Sequence, residues 1–378
     1  MWRRDFLQQS FAAGGSLAFA SWLGAEPPLR IESCVLPSPQ WSVIPVVGDG
    51  KWINTAPPKE GTGYIEPRSY SLDIGIEMEG IGNAQRILAT TPVPVGHPEQ
   101  KIDEVSIETQ GCEANVRELA PGAGQLFLAA PGIAKGQKVS AIVHYKLTLS
   151  KQFYNYRRED FPEKQPEPPV EVRRSSLQDS PGIQTSSGEV RKLAAELVGQ
   201  LTHPWDRATA FWQWVRRNIR PQIGSYTSVV AAIEKRLGDC EEMAGVFTAL
   251  CRHVGIPARL VWVPNHAWAE FYLTDNEGRR HWIPAHTACY SWFGWTGAHE
   301  LVIQKGDRIE SPEQHRQVRL LEDWMQWQGR KPRAKYIAEL TPLPESEGAD
   351  AGPGARRKEE TGEWKVVGSH PLNKYMRN

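Results

Sequence analysis

Gly238-Asp239-Cys240-Glu241-Glu242 is the part of this sequence best suited to do chemistry. It precedes a run in which Met243, Val246, Phe247, Leu250 and Val254 share one helical face. Asp239 followed three residues later by Glu242 has the form of an N-cap with a capping box. Cys240 is therefore expected in the first turn of a buried helix. The unpaired backbone N–H groups there favour an anion by about 0.3–1 kcal/mol, less than one pKa unit. Asp239, Glu241 and Glu242 push the other way, so the helix alone does not make a thiolate. A neighbouring imidazolium does, because a histidine partner brings a catalytic cysteine from about 8.5 down to about 3–4. Among ten histidines His266 is best placed, since it begins an extended run, His266 to Leu273, soon after the cysteine helix ends at Gly255-Ile256-Pro257. A thiol with an adjacent base is the apparatus of acyl transfer, in which the sulfur attacks a carbonyl and the imidazole carries protons.

The elements that must position this pair can be read from hydrophobic period. Val190, Leu193 and Leu197, then Ala208, Phe211, Trp212, Val215 and Ile219 behind Pro204, predict two helices, and Ser228 to Leu237 a third short one ending at Gly238. Arg259 to Val263, His266 to Leu273 and Arg280 to Ala285 read as strands, the last two joined by turn residues Asp275-Asn276-Glu277-Gly278. Upstream, Tyr70, Leu72, Ile74, Ile76 and Met78 alternate with polar or small residues, as do Val139, Ala141, Val143, Tyr145, Leu147 and Leu149. That is the period of half-buried strands, and Gly and Pro punctuate it as in an all-β sandwich. The expected organisation is a leader over 1–25, a sandwich-like domain over 26–155, a Pro- and charge-rich linker over 156–187, an α+β catalytic domain over 188–330, and a partly disordered C-terminal extension over 331–378.

Ala249-Leu250-Cys251-Arg252-His253-Val254-Gly255-Ile256-Pro257-Ala258-Arg259 and His266-Ala267-Trp268-Ala269-Glu270-Phe271-Tyr272, placed behind Gly-Asp-Cys, resemble the core of the transglutaminase-like superfamily over roughly Gly188 to Phe293. The resemblance implies a papain-like α+β core, helices on an antiparallel sheet, with a Cys-His-Asp triad. It makes Cys240 the nucleophile and His266 the general base. The third residue departs from the pattern, because the family's Trp-x-Pro-x-Asp reads Trp282-Ile283-Pro284-Ala285-His286 here. With a turn near Asn276, His286 falls opposite His266, close enough for a neutral imidazole to orient it. Asp275, about nine residues up the strand and so roughly 30 Å away, does not reach. His286 as a plain polar residue is the competing reading.

Lys plus Arg and Asp plus Glu are equal at 44 each, so net charge favours neither nucleic acid nor an anionic membrane surface. Arg3-Arg4-Asp5-Phe6-Leu7 ahead of a mild apolar run from Phe11 to Gly24 has the form of a twin-arginine export signal, cut after Ala25, and no later segment is apolar enough to span a membrane. Periplasmic or extracellular placement follows as an expectation. Among Cys34, Cys112, Cys240, Cys251 and Cys289 the odd number leaves at least one free thiol, and Cys251, three turns beyond Cys240, belongs to the core. No metal or other cofactor is expected, since no CxxC or HxxxH spacing occurs. The sequence thus points to an exported cysteine enzyme acting on amide bonds of a polypeptide or a cell-wall (peptidoglycan) peptide, hydrolysing more readily than crosslinking. The rival class is a catalytically silent binding module that keeps the same fold.

Overall fold

The computed structural model describes residues 30–35, 56–59, 62–222, 224–288 and 292–344. The expected export signal, Cys289 and the polar stretch from Glu345 to Gly362 lie outside the described residues.

Two sheets face each other in the N-terminal half. The long strands Gly63–Glu79 and Lys138–Phe153 pair antiparallel through most of their length, with Gln100–Gln110 on the far side of Lys138–Phe153. Facing them are Ala84–Val93 and Ala123–Ile133, with Glu113–Ala120 alongside the latter. Leu72, Ile74, Ile76 and Met78 point inward, as do Val139, Ala141, Val143, Tyr145, Leu147 and Leu149, and they meet Ile87, Leu126 and Leu128 of the opposite sheet. Each large aliphatic side chain buried there contributes about 1.5–3 kcal/mol. The alternation read from the sequence is therefore the inner face of a sandwich.

The sandwich is not closed by its own segment of chain. Trp324–Gly329 pairs with Ala84–Val93 and with Ile31–Val35, and Arg333–Pro342 lies along Gly63–Glu79 from Tyr70 to Glu79. Residues 333–342, expected in a terminal extension, are thus an integral strand. Tyr336 turns into the core and Ala338 is buried beside it, with Lys335 and Glu339 to either side, a pattern too dilute to stand out beside the polar tail that follows.

The helical layer comprises α1 (Val170–Ser176), α2 (Gly188–Val198), α3 (Pro204–Asn218), α4 (Val229–Lys235) and α5 (Cys240–His253). Ser187 caps α2 and Ser228 caps α4 through their hydroxyls, while α3 starts with Pro204 and ends before Ile219. α4 stops at Arg236, which takes the left-handed conformation (φ 57°), two residues before the expected Gly238. The segment 156–187, expected as a linker, carries α1 and buries Phe161 in the core. α5 is the most buried helix, packed with Phe211, Val215 and Val190 on one side and with Ala267, Ala269 and Phe271 of the sheet on the other. The architecture is α+β, helices on an antiparallel sheet beside an all-β sandwich.

One sheet runs through both halves. Ala258–Val263, His266–Thr274 and Arg280–Ala285 form a meander, and the two-residue strand Gln304–Lys305 joins it to the sandwich by pairing with Trp262 and Val261 on one side and Ala123 on the other. Buried charges reinforce that splice. Lys305 Nζ lies 2.8 Å from Glu270 and 2.5 Å from Glu99, and Arg259 lies 2.6 Å from Glu270. Burial alone would raise the Glu270 carboxyl, but Lys305 and Arg259 outweigh it and bring it down to about 2.

Candidate active site

α5 begins as the spacing predicts. Asp239 Oδ1 accepts the Glu241 N–H at 2.8 Å, and Glu242 Oε2 accepts the Asp239 N–H at 3.0 Å, which completes the capping box. Residue 238 has to be glycine here, because a Cβ would lie 2.5 Å from that of Glu242. The carboxylates that flank Cys240 are all engaged elsewhere. Glu242 Oε1 takes the Thr227 N–H at 2.8 Å, and Glu241 Oε1 receives Arg319 Nε at 2.7 Å and Trp262 Nε1 at 3.3 Å. Cys240 sits in the first turn at 8% exposure, near the backbone N–H of Ala267, which favours its thiolate. The thiol therefore rests against the start of the next strand but one, beside the residue that follows His266.

His266 and His286 are buried and close, with Nε2 of the first 3.4 Å from Nδ1 of the second and their rings stacked at 5.6 Å. The register differs from the one expected. Ala269 pairs with Ala285, so the ladder continued by one step would set His286 opposite Trp268 and leave it diagonal to His266. The turn is centred on Glu277, because Asp275 Oδ1 accepts the N–H groups of both Glu277 and Arg279. A one-residue displacement of the turn becomes two residues in the ladder. Contact survives because a diagonal neighbour is within reach of an imidazole. Trp268 stacks on His286 at 4.6 Å and fixes the plane of its ring.

Two residues that sequence reasoning missed hold His286 from behind. Trp212 Nε1 and Arg216 Nη1, one turn apart on α3, both donate to its backbone carbonyl, at 2.7 and 3.2 Å. Their i, i+4 spacing puts them on one helical face but does not point to a carbonyl so distant in sequence. Asp275, excluded by distance in the sequence reading, pairs with His281 and Arg279 instead. Cys251 is fully buried in the core, and Cys34, Cys112, Cys240 and Cys251 are all free thiols. Among the described residues no group of three or more His, Cys, Asp or Glu side chains is arranged to hold a metal.

Burial dominates the electrostatics. It pushes the Cys240 thiol well above the usual range, Asp239 and Glu241 add to the rise, and the Ala267 N–H only partly offsets it. Burial brings His266 down to about 3, and burial with His266 and Arg216 nearby holds His286 well below an ordinary histidine. Asp239 rises to about 7 through burial and its proximity to Glu242. The resting pair is therefore a neutral thiol and a neutral imidazole. In the unfolded chain both histidines take up protons below about pH 6.5, so the stability tied to their neutral forms is complete above that pH and is lost as pH falls, in the case of His266 towards about 3.

With this geometry in hand, comparison with known proteins is specific. Residues 191–287 match the model of the transglutaminase-like superfamily, a stretch that contains Cys240, His266 and His286. A crystal structure from Cytophaga hutchinsonii, described as a candidate cysteine protease, superposes with a TM-score of 0.51 at 16% identity, covering 78% of this chain and 96% of that one. Another, from Parabacteroides distasonis ATCC 8503 and described as a candidate protease, gives a TM-score of 0.24 at 12% identity over 56% of this chain and 42% of that one. No curated protein sequence matches the chain. The first of these structures carries the likeness of fold alone.

Proposed function

We propose that this chain, whose residues 191–287 are a transglutaminase-like core domain, is an exported cysteine-dependent amide hydrolase. Cys240 is its nucleophile, His266 its base, and His286 orients that base. The observation that carries the reading is the burial of Cys240 at the capped start of α5, near the N–H of Ala267, with His286 3.4 Å from the adjacent His266. His286 engages Nε2 of His266, and in this reading Nδ1 carries the proton transfer. Because both partners rest neutral, the imidazole takes the thiol proton as the sulfur attacks, rather than before. The S–C bond forms, the carbonyl electrons move to oxygen beside the Cys240 backbone N–H, and the leaving amine departs with the proton from His266. Water, deprotonated by His266, then adds to the thioester carbonyl, the S–C bond breaks to release the carboxylic acid, and the Cys240 sulfur recovers the proton from His266.

The burial that keeps Cys240 protonated equally favours a silent binding module. Alkylation separates the two. For a working pair, iodoacetamide labelling of Cys240 read by peptide mass is slow at pH 5, climbs with pH, and falls about tenfold or more in His266→Ala. His286→Asp places a carboxylate beside His266, raises the proton affinity of the ring and accelerates labelling at pH 5. Equal rates with and without His266 would leave the thiol unactivated and the silent reading in force. The depressed value of His286 also moves the acid limb of activity below pH 6, where an ordinary histidine would have set it.

Export rests on Arg3-Arg4 and the weak apolar run behind them. No helix among the described residues is long and apolar enough to cross a membrane. Changing both arginines to lysine is expected to leave a full-length precursor in the cytoplasm, visible by fractionation. Normal processing of that variant would remove the export claim.

A further inference from the structure

One cleft adjoins this site and has no part in the chemistry described so far. It encloses about 390 Å³, within the range of small-ligand pockets, and its wall is built from Trp205 and Trp212 of α3 with Tyr154, Tyr156, Trp292 and Phe293. The wall is preassembled. Phe293 packs edge-on against Trp205 and Trp212, each with ring centroids at 5.3 Å, and Tyr154 stacks on Tyr156 at 5.2 Å. Trp292 remains 38% exposed, unusual for so large an apolar side chain. Trp212 is shared with the site, because its indole N–H holds the carbonyl of His286. The cleft is one side chain away from the proposed orienting residue.

The chain itself lays two prolines along this wall. Pro57 and Pro58, in a stretch without regular structure, lie half-buried at the cleft. Prolines on aromatic rings are a recurrent mode of peptide recognition, since the ring is apolar and its backbone loses little freedom on binding.

We propose that this cleft is the specificity pocket of the enzyme, receiving a proline or aromatic residue of an extended polypeptide substrate, and that Pro57-Pro58 occupies it as an internal mimic of that substrate. The inference rests on the reading of Cys240 as nucleophile and selects polypeptide over cell-wall peptide as the substrate class.

The test uses the mature full-length enzyme and sets of fluorogenic peptides that differ at one position, carrying Pro, Phe, Ala or Gly. The kcat/KM for Pro or Phe should exceed that for Ala by about tenfold at one position, equivalent to about 1.4 kcal/mol. Trp292→Ala should cut that ratio at least fivefold, and Pro57→Ser/Pro58→Ser should lower KM for the preferred peptides about threefold by loosening the mimic. A flat profile at every position, or an unchanged ratio in Trp292→Ala, overturns the proposal. So does displacement of the preferred peptide by a chitin hexasaccharide, which would make the wall a sugar platform. Binding of the same peptides to Cys240→Ala, followed by tryptophan fluorescence, separates the two ideas. Pro- or Phe-selective binding that is lost in Cys240→Ala/Trp292→Ala, without turnover by wild type, would keep the pocket and refute the nucleophile.

Discussion

Replacing Cys240 by alanine is expected to lower peptide hydrolysis by about 10³-fold or more, because removing a nucleophile disables the unit of residues that acts with it. The fold should persist. Although Cys240 is buried at the start of α5, the substitution removes one sulfur atom, and the capping box made by Asp239 and Glu242 uses neither the Cys240 side chain nor its backbone N–H. A loss of about 1 kcal/mol is the ordinary scale for such a change. Progress curves on a peptide substrate and a urea melt of the same preparation supply both readings. Residual activity above a tenth of wild type, with the protein still folded, would remove Cys240 from the mechanism.

Replacing Asp307 by asparagine is expected to cost about 3–5 kcal/mol of stability, the largest effect on folding foreseen for a single side chain here. Arg252 near the end of α5 and Asp307 are both fully excluded from solvent and meet through two hydrogen bonds of 2.8 Å. Asp307 also accepts from Ser180 Oγ and the Leu260 N–H, while Arg252 donates to the carbonyls of Ala258 and Gln178. Asparagine keeps the volume and strands a buried guanidinium. The pair fixes the far end of α5 to the strand Ala258–Val263, so it sets the distance between the cysteine helix and the sheet that bears His266. Arg333→Ala provides the contrast. Arg333 is largely exposed and its partner Glu79 half-buried, and pairs open to solvent contribute about 0–1 kcal/mol. Urea midpoints compare the two. A loss below about 1 kcal/mol for Asp307→Asn would mean that the interior relaxes around Arg252.

What the sequence reveals of this molecule follows the separation of the groups involved. The capping box spans four residues and is correct to the atom, since local spacing alone decides it. The inward faces of Gly63–Glu79 and Lys138–Phe153 are legible for the same reason, a strict period of two over many residues. His286 is found but misregistered, because the side chain of Asp275 recentres the turn and periodicity carries no information about that. Trp212 and Arg216 lie 74 and 70 residues from the carbonyl they hold, and nothing in their neighbourhood marks the connection. The charge state of the site is the least legible feature. Motif spacing suggests an ion pair, whereas the depth at which Cys240 and His266 sit depends on α3, α5 and three strands packing together.

The strand Arg333–Pro342 bears on the timing of synthesis. Gly63–Glu79 leaves the ribosome early and gains Lys138–Phe153 on one edge soon afterwards, but its other edge is filled only by that late strand. The 254 residues from Glu79 to Arg333 take roughly 13–50 s to translate at about 5–20 residues per second. For that interval a long row of backbone donors and acceptors has no native partner, in a segment rich in apolar side chains. The nascent sandwich thus keeps one edge open through most of synthesis, and the late strand Arg333–Pro342 decides when it closes.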